Sequence, residues 1–400
     1  MSSGERTAAG DRTPVPVAVV VLAGVNVCIG LGYGIAAPVI PLLAAAFDVS
    51  DLAASGVVSA YALARIVAAP AASRLAARAS PAPVMAVAMA VTAVTSLLAG
   101  MAGSFTGLLV WRALGGAATV VTSVAGQTVL YRVAPAGSRG RATAVFHGGF
   151  LAGGLAGPLV GGVIAGVSLA APLLVYGALL LLGGALAAGL LGRARRASTP
   201  EDGDAASASM SLREAWADRR FRVAVLTQFA NAWIGNGLRF TVIPLFVAAG
   251  LGLGPVWTGL GLLLAGATQV LVAPVSGRLT DSWSRRCPLV LGGLAGGASA
   301  LLLAIDETTP GYLAAMVLSG VAGSLGAVAG GALLGDVLDG RSGPPIAWYQ
   351  IAFDVAGVVG PLASGAVAEA TSYSAAFVLA AAVSVLSAVV AVAGRPKPAR

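Results

Sequence analysis

Residues 153–162 read GGLAGPLVGG, a run of glycines around Pro158 inside a long apolar segment. A proline inside a helix removes a backbone hydrogen bond, and glycines at steps of three or four leave one helix face bare. A membrane helix with this sequence can bend and can approach a neighbour closely. We therefore predict a hinge here, formed by Gly153, Gly157, Pro158, Gly161 and Gly162.

The same pattern returns half a chain later, where residues 357–365 read GVVGPLASG. The tetrapeptide VIPL also occurs twice, at 39–42 and 242–245, and RIVAAPAASRL (65–75) corresponds to QVLVAPVSGRL (269–279). The chain thus consists of two homologous halves, an internal sequence repeat. The matching hinge residues in the second copy are Gly357, Gly360 and Pro361.

The composition places the chain in a lipid bilayer. It is 58% hydrophobic and 10% charged, with a mean hydropathy of +0.90, whereas soluble domains carry about a quarter charged residues. A spanning helix needs about 20 apolar residues. Twelve segments qualify, at approximately 17–46, 52–76, 83–103, 106–131, 143–168, 171–192, 222–248, 255–279, 287–305, 311–335, 345–368 and 372–394. We predict an all-α integral membrane protein of two pseudo-symmetric six-helix bundles.

The basic residues follow the topology of such a protein. Of 24 Lys and Arg residues, three lie well inside predicted spans, namely Arg65, Arg112 and Arg239. The others lie in the termini, in the even-numbered loops or at bordering helix ends, while the odd-numbered loops contain only acidic charges. The positive-inside rule then puts both termini in the cytoplasm. The net charge of +8 is a topology signal, so we expect a plasma-membrane protein with no nucleic-acid partner.

The domain organisation follows the repeat. We predict an N-terminal bundle at 14–192, a cytoplasmic linker at 193–221 and a C-terminal bundle at 222–394. The linker ends in SLREAWADRRF, which is typical of an amphipathic helix on the membrane surface; a plain solvated tether is the alternative.

The sequence contains few of the residues that form catalytic or metal sites. The chain has one histidine and two cysteines, Cys28 and Cys287, which are far apart and lack metal-ligand spacing. A membrane enzyme would need a nucleophile with its base, paired acids or metal ligands. We therefore expect no enzymatic activity, no disulfide, no metal and no cofactor.

Four motifs resemble those of the major facilitator superfamily of transporters. LGYGIAAPVIP (31–41) is similar to its first-helix signature and WRALGGAA (111–118) to its fourth-helix motif. GGLAGPLVGG resembles the fifth-helix motif associated with antiporters, and SGRLTDSWSRRCP (276–288) the cytoplasmic gating loop. The resemblance implies two rocking bundles and a functional monomer. It also implies a part in proton coupling for Arg112.

The gating loop is better preserved in the second half. In the first half Ser73 and Ala77 replace the glycine and aspartate of the superfamily pattern. The resemblance implies that Asp281 pairs across the interface of the halves or caps a neighbouring helix; alternatively, the arginines are only topology charges. The residues assigned to this cytoplasmic latch are Gly277, Arg278, Asp281, Arg285 and Arg286.

Two polar stripes predict a water-filled cavity, because polar side chains in a bilayer face water or each other. At 100° per residue the stripe of the fourth span shares one face. It consists of Arg112, Gly116, Thr119, Ser123 and Gln127. The stripe of the seventh span consists of Gln228, Asn231, Gly235 and Arg239. Asn236 lies about 80° round and widens that face, and Asn26 and Tyr33 of the first span join the wall. Hydrogen bonding between helices is the alternative role.

Asp354 is the sole carboxylate well inside a predicted span. It is a proton carrier, an ionised partner for Arg65, Arg112 or Arg239, or a structural residue, and the residues alone leave these alternatives open. His147 near the start of the fifth span is a further proton-relay candidate, and hydrogen bonding at the membrane interface is its simpler role. Arg65 lies one turn beyond Tyr61, which can help to satisfy it.

These observations favour a secondary transporter of small molecules that works by alternating access. Proton-coupled efflux of a drug-like compound or metabolite is the leading prediction. The alternatives are uptake of a sugar or other polar metabolite, and a sensor of the same fold that transports nothing. Three embedded arginines against one aspartate favour neutral or anionic substrates.

Overall fold

The computed structural model describes residues 17–133, 139–194, 210–339, 341 and 344–393. Within those ranges, twelve helices are long and apolar enough to cross a membrane, which confirms the predicted number. The helices of the first half are α1 (Val17–Ala45), α2 (Asp51–Arg78), α3 (Pro81–Gly100), α4 (Phe105–Val133), α5 (Arg139–Ala165) and α6 (Ala171–Ala194). Those of the second half are α7 (Arg219–Gly250), α8 (Pro255–Ser282), α9 (Arg286–Ile305), α10 (Thr309–Leu338), α11 (Pro344–Ala370) and α12 (Tyr373–Ala393).

Local sequence signals set several helix ends. The Ser50 hydroxyl accepts the backbone N–H of Ala53 (3.3 Å) at the start of α2, and Thr308 caps α10 in the same way through Gly311 (3.2 Å). These side chains satisfy N–H groups that have no partner inside the helix. α10 ends at Asp339, which adopts the left-handed conformation with φ 48°.

The two equivalent helices α1 and α7 depart from α-helical geometry in opposite directions. α1 tightens into a 3₁₀ turn at Ala37–Val39, whereas α7 widens into a π-helix over Trp233–Val242. The Thr241 hydroxyl donates to the carbonyl of Asn236 (2.6 Å), five residues earlier. Pro244, two residues after the π-helix ends, cannot donate a backbone hydrogen bond. The repeated VIPL text therefore begins in two different backbone settings and continues as α-helix in both halves.

A seam of glycines joins α5 to α1 within the first half. A Cβ on Gly153 would collide with the carbonyl of Val27, and one on Gly157 would lie 2.7 Å from the Cα of Gly34. Gly161 faces the backbone of Ile35 in the same way. The backbones approach this closely because no side chain separates them.

The halves meet chiefly along two helix pairs, α2 with α11 and α5 with α8, with a smaller contact between α1 and α7. The backbone N–H of Leu52 donates to Glu369 (3.0 Å), and the Ser59 hydroxyl donates to the carbonyl of Val358 (2.8 Å). Gly162 lies against the backbone of Pro255. These contacts lie toward the odd-numbered loops, where α2 and α8 begin and α5 and α11 end.

The linker differs in part from its prediction. Residues 195–209 lie outside the described residues, but 211–221 do not form one helix. A short helix at Leu212–Ala217 ends before Asp218, whose carboxylate accepts the N–H of Arg220 (2.7 Å) and starts α7. Burial raises the pKa of Asp218, but the hydrogen bonds from Arg220 outweigh burial and lower it. An N-cap residue thus breaks the predicted amphipathic helix in two.

Candidate functional site

A cavity of about 660 Å³ lies between the halves. α9 and α12 contribute nothing to its described wall, and α3 and α6 contribute one residue each. Twelve polar or charged residues predicted for the cavity wall or for proton coupling line it: Asn26, Tyr33, Arg65, Thr119, Ser123, Gln127, His147, Gln228, Asn231, Asn236, Arg239 and Asp354. The polar stripes therefore meet around one space.

The hydroxyl groups of the α4 stripe are bonded within their own helix. Thr119 donates to the carbonyl of Gly115 (2.7 Å), and Ser123 donates to that of Thr119 (3.0 Å). Gln127 is exposed in the cavity. Since the hydroxyl protons are used, these two side chains offer acceptor oxygens, and the Gln127 amide is the donor available on this wall.

Arg112 was predicted to line the cavity as part of the α4 stripe, but it does not lie on the described cavity wall. It is 4% exposed, and its guanidinium carbon lies 4.5 Å from the centroid of the Tyr61 ring. Tyr61 itself lines the cavity. Close packing of α4 on α2, where Gly116 meets the backbone of Tyr61, turns this end of the stripe toward the neighbouring helix.

The two α1 residues have packing contacts as well as a place in the wall. The Asn26 amide donates to the carbonyl of Phe146 on α5 (2.9 Å), so it lines the cavity and also joins two helices. The Tyr33 ring meets Phe240 of the second half edge-on, with centroids 5.9 Å apart. Phe150 lies 6.3 Å from Tyr33 on the other side.

The α7 stripe passes through the π-helix, where the rule of 100° per residue no longer applies. Gly235, Asn236 and Arg239 all line the cavity. Arg239 donates from Nε to the Ser319 hydroxyl (2.6 Å), and its Nη1 lies 3.5 Å from the Gln269 oxygen. The wider turn brings Asn236 into the same wall.

Asp354 pairs with Arg65 across the two halves. The Arg65 Nε lies 3.8 Å from Asp354 Oδ1, and their side chains are 22% and 17% exposed. This is the one ion pair between the halves in the described residues. Of the three arginines considered from the sequence, the structure selects Arg65. His147 lies in the cavity wall with its ring 5.2 Å from Phe146.

In the gating loop, Arg285 forms its ion pairs inside the second half. Arg285 bonds Asp336 on α10 (2.9 Å) and Asp281 (2.6 Å). The hydrogen bonds that Arg285 donates raise its pKa, and the one to Asp336 has the larger effect. Asp281, 77% exposed, therefore pairs with its own loop, which corrects the expectation of a contact across the halves. The two residues are four apart in the chain, so their side chains are close to each other within the loop.

The predicted hinges are continuous helices through Pro158 and Pro361. The carbonyl of Pro158 lies against Gly259 of α8. In α11, Gly360 packs on Gly237 of α7, and an added Cβ on Gly357 would lie 3.4 Å from Ala62. The glycines thus serve helix contacts within and between the halves, and the hinge role stays a prediction.

Three of the residues that the sequence analysis missed contact predicted residues of the cavity wall. Gln269 and Ser319 bind Arg239, and Phe240 packs on Tyr33. Gln269 had a signal, because it corresponds to Arg65 in the repeated text. Ser319 and Phe240 gave no such signal, since neither residue type is unusual in a membrane helix.

The model of the Major Facilitator Superfamily matches residues 22–305 and 240–400 of this chain. The chain belongs to the major facilitator superfamily. The family and the fold are those of transporters, so the protein is a multi-pass membrane transporter of some kind.

Two kinds of known protein are similar to this superfamily member. A tetracycline resistance protein, class C, of Escherichia coli is 37% identical over 111 residues, which is 27% of each chain. The match therefore spans about a quarter of that relative's length. A bacterial homologue of the human lysosomal transporter Spinster, in an inward-facing state, has a TM-score of 0.73 at 15% identity, over 96% of this chain and 98% of that one. The nucleoside transporter NupG has a TM-score of 0.72 at 15% identity, over 94% and 98%. At such identities the structural likeness shows the fold alone.

Proposed function

We propose that this protein is a proton-coupled exporter of a drug-like compound or metabolite. The observation that carries the proposal is the Arg65–Asp354 pair, which joins the two halves beside the central cavity. A binding space between two bundles is the arrangement used in alternating access. An ion pair across the same space links the bundles to a group that can take up a proton.

Protonation of Asp354 is the proposed coupling event. A neutral carboxyl no longer attracts Arg65, so the contact of α2 with α11 weakens at the level of the cavity. His147, exposed at the cavity wall, serves as a relay. Arg112 acts indirectly, by holding the Tyr61 ring that lies one turn from Arg65.

The structure then corresponds to one state of the cycle. With the basic even-numbered loops on the cytoplasmic side, the contacts between the halves lie at the outer ends of the helices. The outer ends are in this proposal the closed side of the cavity, and the state is inward-facing. In this proposal the bundles 14–192 and 222–394 rock about the cavity in the plasma membrane, and the protein works as a monomer.

Two observations support export over uptake. The fifth-helix sequence GGLAGPLVGG resembles the antiporter motif, and in the structure Gly162 and the Pro158 carbonyl lie against α8 of the other half. The tetracycline resistance protein that shares a 111-residue match is a resistance protein by its name.

The test is accumulation of labelled amphipathic compounds in cells that lack their own exporters. We compare the wild type with Asp354→Asn, with and without a protonophore. The matched control is Asp306→Asn, since Asp306 lies outside the cavity and accepts the N–H of Thr308 (3.2 Å), which asparagine also does.

We expect the wild type and Asp306→Asn to lower accumulation of at least one compound, and protonophore or Asp354→Asn to abolish this. Accumulation that rises with the wild type would show an importer. Export that survives both Asp354→Asn and the protonophore would refute proton coupling through this residue.

A further inference from the structure

One arginine in the cavity wall has no carboxylate partner in the described part of the chain. Arg239 bonds the hydroxyl and the backbone carbonyl of Ser319 and the amide oxygen of Gln269. Both partners are neutral. The guanidinium has five N–H groups in a planar fork, and these bonds leave donors on its two terminal nitrogens.

The other embedded charges do not compensate it. Arg65 and Asp354 neutralise each other, and Arg112 lies behind the Tyr61 ring. The described wall therefore carries one net positive charge, at Arg239. An embedded charge without a counter-ion is costly, and a bound anion offsets that cost.

The surroundings of Arg239 are fitted to a planar anion with an aromatic body. Gly323 leaves room for the guanidinium, because an added Cβ would lie 3.0 Å from both Arg239 Nη2 and the Gln269 oxygen. Phe240 follows Arg239 in the chain and packs on Tyr33. Both rings line the cavity, whose volume of about 660 Å³ suits a drug-sized molecule.

We propose that the substrate is an aromatic monocarboxylate. Its carboxylate binds the planar fork of Arg239, and its ring lies against Tyr33 and Phe240. This inference rests on the proposed function, because the bound compound is a substrate only if the protein transports it. The binding itself is tested separately.

The experiment uses the full-length protein purified in detergent and isothermal titration calorimetry. The probes share one ring system and differ in charge: 2-naphthoate, neutral 2-naphthamide and cationic 2-naphthamidine. A charge-assisted pair is worth about 1.5–3 kcal/mol, which corresponds to about 10- to 100-fold in Kd. We expect naphthoate to bind tighter than the amide by that factor, and the amidine to bind weakest.

Two variants locate the preference. Arg239→Gln should weaken naphthoate binding by the same factor and leave amide binding within about twofold. Arg239→Lys keeps the charge but loses the planar fork, so naphthoate binding should be intermediate. The comparison of ligands on the wild type needs no substitution, so it stands even if a variant misfolds.

Equal or tighter binding of the amide or amidine overturns the inference, as does absence of naphthoate binding at millimolar concentration. A preference for naphthoate that is unchanged in Arg239→Gln overturns the assignment to this arginine. Flux of naphthoate in proteoliposomes separates the two proposals. Preferential binding without flux leaves the binding site standing and contradicts transport of the carboxylate, whereas export of other compounds with preference for the amidine contradicts this inference alone.

Discussion

Tyr61 connects a buried charge to the cavity. Its ring lies 4.5 Å from the guanidinium carbon of Arg112, and its residue lines the central space. A cation against an aromatic face is stabilised by about 0.5–2 kcal/mol, depending on desolvation. The Tyr61 ring therefore partly stabilises the charge of Arg112, as the Asp354 carboxylate does for Arg65.

Replacement of Tyr61 tests this arrangement. Tyr61→Phe keeps the ring and loses only the hydroxyl that is hydrogen-bonded with Arg65, so its Tm in detergent should fall much less than that of Tyr61→Ala. Tyr61→Ala removes both packing and the face over Arg112, and should destabilise the protein by about 3–5 kcal/mol. Thermal unfolding of the purified variants measures the difference. Equal Tm values for the two variants would show that the ring does not stabilise Arg112.

The pairing of Asp354 with one particular arginine also belongs to the scale of single residues. The sequence placed Asp354 inside a span and offered three arginines. Only the positions of α2 and α11 relative to each other bring Arg65 within 3.8 Å. Since the partners belong to different halves, no local pattern could select one.

At the scale of elements, the seam between α1 and α5 depends on glycine at particular steps. Gly153 and Gly161 face the backbones of Val27 and Ile35, whereas an added Cβ on Gly148 of the same helix meets nothing within 4 Å. The spacing of four residues keeps the seam on one face.

Alanine substitution distinguishes these glycines. Gly153→Ala or Gly161→Ala should destabilise the protein by about 1–3 kcal/mol, because the methyl group forces the helices apart. Gly148→Ala should be neutral or stabilising by up to about 1 kcal/mol through helix propensity. Thermal unfolding in detergent compares the three. Tolerance of alanine at 153 and 161 equal to that at 148 would contradict the seam.

The π-helix of α7 is an element that the hydrophobic and polar periodicity of the sequence did not predict. The stripe expected at 100° per residue fits only as far as Ala232, where the regular α-helix ends. The wider turn places Asn236 and Arg239 in the wall together. Pro244 and Thr241 are local signals for it, but in α1 the same VIPL text begins at the end of a 3₁₀ turn instead.

At the scale of the whole molecule, the proposed cycle requires α2 and α11 to separate. Ala62 and Gly357 face each other across the halves, with an ideal Cβ on Gly357 3.4 Å from that of Ala62. Disulfides need Cβ atoms about 3.5–4.5 Å apart, so cysteines at both positions can join the halves.

We expect Ala62→Cys with Gly357→Cys, in a chain whose two native cysteines are replaced by serine, to form a disulfide under oxidant. The bond should abolish transport, and reductant should restore it, because the halves can no longer move apart. A protease site inserted between 195 and 209 reveals the bond, since the cleaved halves then stay together on a non-reducing gel. The single-cysteine variants are the controls. Full transport with the disulfide formed would contradict separation at this level.

The sequence by itself determined the membrane class, the twelve spans, the duplicated halves and the superfamily. It also placed most of the polar side chains of the cavity wall, because apolar length, basic loops and polar periodicity are properties of single helices. The tertiary structure alone decided that Arg65 pairs with Asp354, that Arg112 lies behind Tyr61, and that Asp281 bonds its own loop. The first two outcomes depend on how helices far apart in the chain pack together, because the energy of an embedded charge is fixed by its neighbours in space. The third also depends on Asp336 of α10, which binds the same Arg285 side chain that pairs with Asp281.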